Sequence, residues 1–130
     1  MKEILIPISP GELLDKITIL RIKSQRMSDA SKQANVQKEL RLLDEVWLKA
    51  VAIDSTVTQL TNELTGINEA LWDIEDDIRE EERNKRFGER FIELARSVYI
   101  TNDKRAEIKK KINLHLGSVI VEEKSYQNYT

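Results

Sequence analysis

Six apolar residues, Leu60, Leu64, Ile67, Leu71, Ile74 and Ile78, stand alternately four and three positions apart. That spacing puts all six on one face of a helix and continues for about three heptads. A helix with such a seam cannot stand alone in water, so the rest of the chain must supply helices to cover it. A second stripe, Asn68, Trp72, Glu75 and Arg79, runs beside the first at spacings of four, three and four. Side chains at the edge of an apolar seam lie half in water, where a hydrogen bond is strong and still open to a ligand. Glu75 and Arg79 also form an i,i+4 pair in the favourable order. The opposite flank carries Glu69, Asp73, Asp76, Asp77 and Glu80. The plain alternative for all these charges is a solvated helix face.

A chain of 130 residues is one domain with room for one core. Charged residues at 34% and aromatics at 5% favour a helical bundle over a sandwich. A net charge of -2 offers no field to draw the molecule to nucleic acid or an acidic membrane. With no cysteine, disulfides, thiolate metal sites and cysteine nucleophiles are excluded. No apolar run reaches the ~20 residues of a membrane helix, and the charged start followed by Ile4 to Ile8 is too short for a signal peptide. The expected location is cytoplasmic.

In chain order, Ile4 to Ile8 is a short extended segment. Ser9-Pro10-Gly11-Glu12 then reads as a capping box with proline at the first helical position, and Ile8 and Leu13 stand at the staple positions. The first helix therefore runs from Pro10 to about Arg26, apolar over most of its circumference, with Asp15, Lys16, Arg21 and Lys23 leaving through the remaining surface. Ser28 or Asp29 caps a second helix with Val36, Leu40, Leu43, Trp47 and Ala50 inward. One helix from Val36 to Ile78 would be ~65 Å long, too long for this chain to bury, so a hairpin turn is expected near Asp54. A third helix carries the seam. Asn84 to Gly88 ends it, and a fourth helix spans Glu89 to Ile100 with Phe87, Phe91, Leu94 and Val98 inward. Thr101-Asn102-Asp103 offers caps for a fifth helix that closes at Gly117. Ser118 to Val121 can pair with the Leu5 segment as a two-stranded ribbon. Residues 122–130 form a flexible tail after a single helical domain at 1–121.

Little recognisable chemistry stands out. His115 is the only histidine, in the last helical turn, where the helix dipole favours it. Phosphate-binding glycine loops are absent. Asp73/Asp76 and Asp77/Glu80 are i,i+3 carboxylate pairs, as in all-α nucleotide pyrophosphohydrolases that hold magnesium; the closest second pair is Asp44-Glu45. Arg21, Arg79, Arg96 and Lys16 invite comparison with all-α chorismate mutases, though no spacing singles them out.

Three segments carry a resemblance: Ser9 to Leu20, Asn68 to Asp76, and Phe91 through Tyr99 to Ala106. Together they resemble an uncharacterised family of short bacterial proteins, a domain of unknown function, over nearly the whole chain outside residues 28–60. The resemblance assigns no catalytic residue. It implies an association with surface-polysaccharide or nucleotide-sugar metabolism.

The expected fold is all-α: a five-helix antiparallel bundle around a central long-helix hairpin, with a ribbon from the termini. The expected function is a non-enzymatic binding or assembly module acting as a homo-oligomer, most simply a dimer, because the seam and the first helix exceed the surface available to cover them. The alternative is a small metal-dependent hydrolase or another anion-binding enzyme. No metal ligand set, catalytic residue or cofactor is assigned. The candidate ligand site is one cluster where the last three helices meet: Trp72, Glu75, Asp76 and Arg79, with Arg96, Tyr99, Asn102, Asp103 and Arg105. Asn102 and Asp103 would expose helix-start amides to a small anion, and the arginines would bind it through paired bonds. The competing interpretation is a purely structural network through Glu75–Arg96 or Asp76–Arg105.

Overall fold

The computed structural model describes residues 1–130 and contains four helices and no strand. They are α1 (Pro10–Arg26), α2 (Ala30–Ala50), α3 (Ser55–Arg83) and α4 (Glu89–His115). The starts follow local chemistry. Ser9 Oγ accepts from the Glu12 amide at 3.2 Å, Asp29 Oδ1 from Lys32 at 2.9 Å, and Asp54 Oδ1 from Val57 at 2.8 Å. Each bond satisfies an amide that the first turn leaves unpaired. At the far end Gly117 takes φ +66°, and the Ser118 amide returns to the Asn113 carbonyl at 2.9 Å. That left-handed step suits glycine.

The central element is α1, which packs against all three other helices. Its Leu13, Leu14 and Ile17 meet Trp47 of α2, Val57, Leu60 and Leu64 of α3, and Ile108 and Ile112 of α4 in one core. α1 runs antiparallel to α4, since Gly11 meets Asn113 and Asp15 meets Arg105. It runs in the same direction as α3, since Asp15 meets Asn68 and Arg26 meets Asp73. Beyond Arg26, α3 and α4 continue as a two-helix arm closed by the edge-to-face pair Phe87–Phe91 at 5.2 Å and by Arg86–Glu81 at 2.5 Å.

Four expectations need correction. Five helices are four, because α4 passes unbroken through Thr101-Asn102-Asp103. Leu94, Val98, Thr101, Arg105, Ile108 and Ile112 continue one inward stripe at spacings of four and three. Burial of that stripe along the 29-residue α3 outweighs a cap worth about 1 kcal/mol. The break near Asp54 is where it was expected, but α2 and α3 do not pack side by side as a central hairpin; α2 lies on α1. The ribbon is absent. Ile4, Leu5 and Ile6 are exposed, and the termini are joined instead by the Ser9 hydroxyl donating to Glu122 at 2.6 Å. Two short strands alone are marginal in water. Finally, the Glu12 carboxylate does not turn back to the Ser9 amide but accepts from Lys109 at 2.5 Å.

Candidate functional site

A polar core lies where α1, α3 and α4 converge. Asp15 and Thr18, three apart on α1, share the face turned toward α3 and α4, and both are fully buried. Asn68 of α3 donates from Nδ2 to Asp15 Oδ1 and to Thr18 Oγ1, each at 2.9 Å. The Thr18 hydroxyl donates to the Asp15 carbonyl at 2.8 Å. Arg105 of α4 grips the Asp15 carboxylate with two parallel donors on one edge of its guanidinium, Nε to Oδ1 at 2.9 Å and Nη2 to Oδ2. No buried side-chain nitrogen or oxygen is left without a partner, which is the condition for a low-dielectric network to hold rather than weaken a fold.

The Arg105 guanidinium is held above its ordinary pKa, first by its hydrogen bonds to Asp15, while burial opposes and the Asp15 charge assists. It stays cationic. A guanidinium has five N–H donors. Two are committed to Asp15, and Nη1 reaches Asn102 Oδ1 only at 3.4 Å, so the outer edge keeps donors to spare.

Beside this core lies a second knot. Lys109 bridges Glu12 at 2.5 Å, Glu122 at 3.7 Å and Asp15 at 3.8 Å. The Gly11 amide donates to Asn113 Oδ1 at 2.7 Å. A β-carbon at Gly11 would stand 2.5 Å from the Lys109 carbonyl oxygen, so this crossing of α1 and α4 admits only glycine.

Two open grooves flank Asn102 and Arg105, each of about 440 Å³. The first lies over α3 and contains Trp72, Glu75, Asp76 and Arg79 together with Asn102 and Arg105; Ile19, Asn68 and Leu71 complete it. The second lies between α4 and the returning C-terminal segment. It contains Tyr99 and Asp103, with Lys109, Lys124 and Tyr126. Arg96 is exposed and lines neither. The nine expected residues are thus divided between two sides of α4 rather than gathered in one cluster. The exposed helix-start amides are absent too, because α4 is continuous at residues 102–103 and its amides there are spent within the helix.

Arg79 bonds Glu75, the i,i+4 pair expected along α3. The inter-helix pairs are rearranged: Arg105 bonds Asp15, and neither Glu75–Arg96 nor Asp76–Arg105 forms. Asp73 pairs with Arg26 at 2.6 Å, Asp77 with Arg90 at 3.4 Å and Asp44 with Arg21 at 3.0 Å. At least one carboxylate of each pair therefore turns to an arginine, and no three His, Cys, Asp or Glu side chains converge as a metal donor set. His115 bonds the cap residue Asp54 at 2.8 Å. The Val57 amide and then His115 hold Asp54 below the usual carboxylate range.

Sequence reasoning missed the depth of Asp15, expected at the surface, and the roles of Thr18, Lys109 and Asn113. A signal existed for one pair: Asp15 and Thr18 are polar residues three apart on a helix that is apolar nearly all round. Lys109 carried none, because it reads as one of a basic run.

Residues 4–130 match the model of a family described as a family of unknown function, DUF6165. No curated protein and no solved structure matches the chain. No helix is long and apolar enough to cross a membrane.

Proposed function

As the chain belongs to this family of unknown function, we propose its role from the groove over α3: it is a non-enzymatic binding module for a small molecule that carries an anionic group. The observation that carries this reading is the state of Arg105. Its inner edge is clamped by a buried carboxylate, and its outer edge keeps unused donors beside a groove. A clamped guanidinium loses little further freedom on binding, which favours affinity. Because Asp15 already balances its charge, the anion is held by directed bonds rather than by a net positive field.

Trp72 supplies a flat apolar surface in the same groove, with Arg26 over its ring at 5.9 Å. Asn68, Asn102, Glu75 and Asp76 supply donors and acceptors suited to hydroxyl groups. A sugar linked to a phosphate or nucleotide meets both demands, in keeping with the metabolism that the resemblance implies. The metal-dependent hydrolase has less support, since at least one carboxylate of each of its pairs is bonded to an arginine.

Thermal denaturation with inorganic phosphate, a nucleoside diphosphate sugar and the free sugar tests this. A ligand at ten times its Kd adds about 1.4 kcal/mol to stability. The expected result is a higher Tm with the nucleotide sugar, smaller or absent with the free sugar, and lost in Trp72→Ala and Arg79→Ala. Identical melting curves with every compound, or a shift that both variants retain, would overturn the reading.

A further inference from the structure

We propose that α2 is a self-association seam, which pairs antiparallel with α2 of a second copy of this chain about a twofold axis. The proposal is independent of the groove, which no residue of α2 lines.

Two stripes run along α2. Val36, Leu40, Leu43 and Trp47 face α1, and all are buried or half-buried. Asn35, Glu39, Leu42, Val46 and Lys49 form the other, again at spacings of four and three. All five are exposed, Leu42 at 49% and Val46 at 51%. No other helix of the chain covers them, because α2 packs on α1 alone. Leu42 and Val46 are the apolar positions of this stripe, at the spacing by which one helix seats another, and no helix of the chain covers them.

Charge selects the occupant and its direction. A twofold axis passing midway between Leu42 and Val46 sets Leu42 on the partner's Val46. The same axis sets Glu39 against the partner's Lys49, once on each side, so both outer positions gain an opposite charge. A parallel pairing would instead oppose Glu39 to Glu39 and Lys49 to Lys49. Like charges facing across a seam select against a register, and opposite ones select for it. A self-complementary patch is what a twofold dimer requires. Both charges are free for this role, since the ion pair that ties α2 to α1 runs through Asp44 and Arg21. The stripe from Asn35 to Lys49 is about 21 Å long, short for a permanent interface, so the dimer dissociates on dilution.

Sedimentation equilibrium up to about 100 µM reads the mass directly, with circular dichroism confirming that each variant is helical. The wild type is expected to approach twice its 15.1 kDa as concentration rises. Glu39→Lys and Lys49→Glu each place two like pairs in the seam and weaken association by about tenfold or more. The double variant restores opposite charges and regains most of the wild-type affinity. A mass of 15.1 kDa throughout the range, single variants that associate like the wild type, or a double variant no better than the singles would each overturn the proposal.

Discussion

A carboxylate with no exposed surface needs partners for both oxygens, and Asp15 has them in Asn68 and Arg105. Truncating one member of a buried pair leaves the other charged and unpaired, at a cost of roughly 3–5 kcal/mol. Arg105 borders two grooves and can turn partly to water, which puts Asp15→Ala at the lower end. Its expected destabilisation is about 3 kcal/mol by urea denaturation. The double variant Asp15→Ala/Arg105→Ala is expected to lose less than the sum of the single losses, because the orphaned charge is gone. Asp54 makes a second residue-scale prediction. Its folded pKa is depressed, chiefly by the Val57 amide and then by His115. A depressed carboxylate contributes stability that is present above its unfolded pKa of about 3.9 and is lost as pH falls through the lower folded value. The urea midpoint is therefore expected to drop below about pH 4. Asp54→Asn, which still caps the helix but does not titrate, should show a shallower drop.

At the scale of the element, α4 is the instructive case. Thr101-Asn102-Asp103 has the composition of a cap, yet all three residues are helical. Asp103 points outward to Lys124 at 3.3 Å, and hydrogen bonding from Tyr129, then from Lys124, holds its carboxyl below the usual range. An N-cap replaced by alanine costs about 1 kcal/mol. An exposed mid-helix aspartate replaced by alanine gains helix propensity and loses an exposed ion pair of little worth. Asp103→Ala is accordingly expected to leave the urea midpoint within the equivalent of about 0.5 kcal/mol of the parent. A loss near 1 kcal/mol or more would mean that a helix begins there.

Over the whole molecule, α1 is both the core and the hub of polar contacts, and its crossing with α4 is set by one residue without a side chain. At Gly11 the Asn113 amide oxygen and the Lys109 carbonyl both crowd the position where a β-carbon would stand. The Lys109 carbonyl is backbone and cannot swing aside. Gly11→Ala must therefore push α1 off α4, with an expected cost of about 2 kcal/mol from overpacking and the weakening of the Gly11–Asn113 bond. Gly66, which lies inside α3 with no atom near its missing β-carbon, provides the control. Gly66→Ala is expected to stabilise by up to about 1 kcal/mol. Opposite signs for the two glycine variants in the same urea experiment check the packing.

Local chemistry was legible in the residues themselves. Ser9, Asp29 and Asp54 cap helices where their side chains can reach an amide three residues on, and the 4/3 spacing from Leu60 to Ile78 marks one helix face. These depend on neighbours within a turn or two, so the sequence determined them alone. The groove was half legible for the same reason, since Trp72, Glu75, Asp76 and Arg79 share a helix and need only its period to lie together. What the tertiary structure decided was everything that depends on an unseen partner. The covering of α4 by α3 overrode the caps at residues 101–103, and α1 between its neighbours took Asp15 from the surface to the core. Arg105 and Asp15 are 90 positions apart, and no periodicity connects them. Only the close approach that Gly11 permits brings their two helices to the distance at which a carboxylate and a guanidinium must either pair or unfold the site.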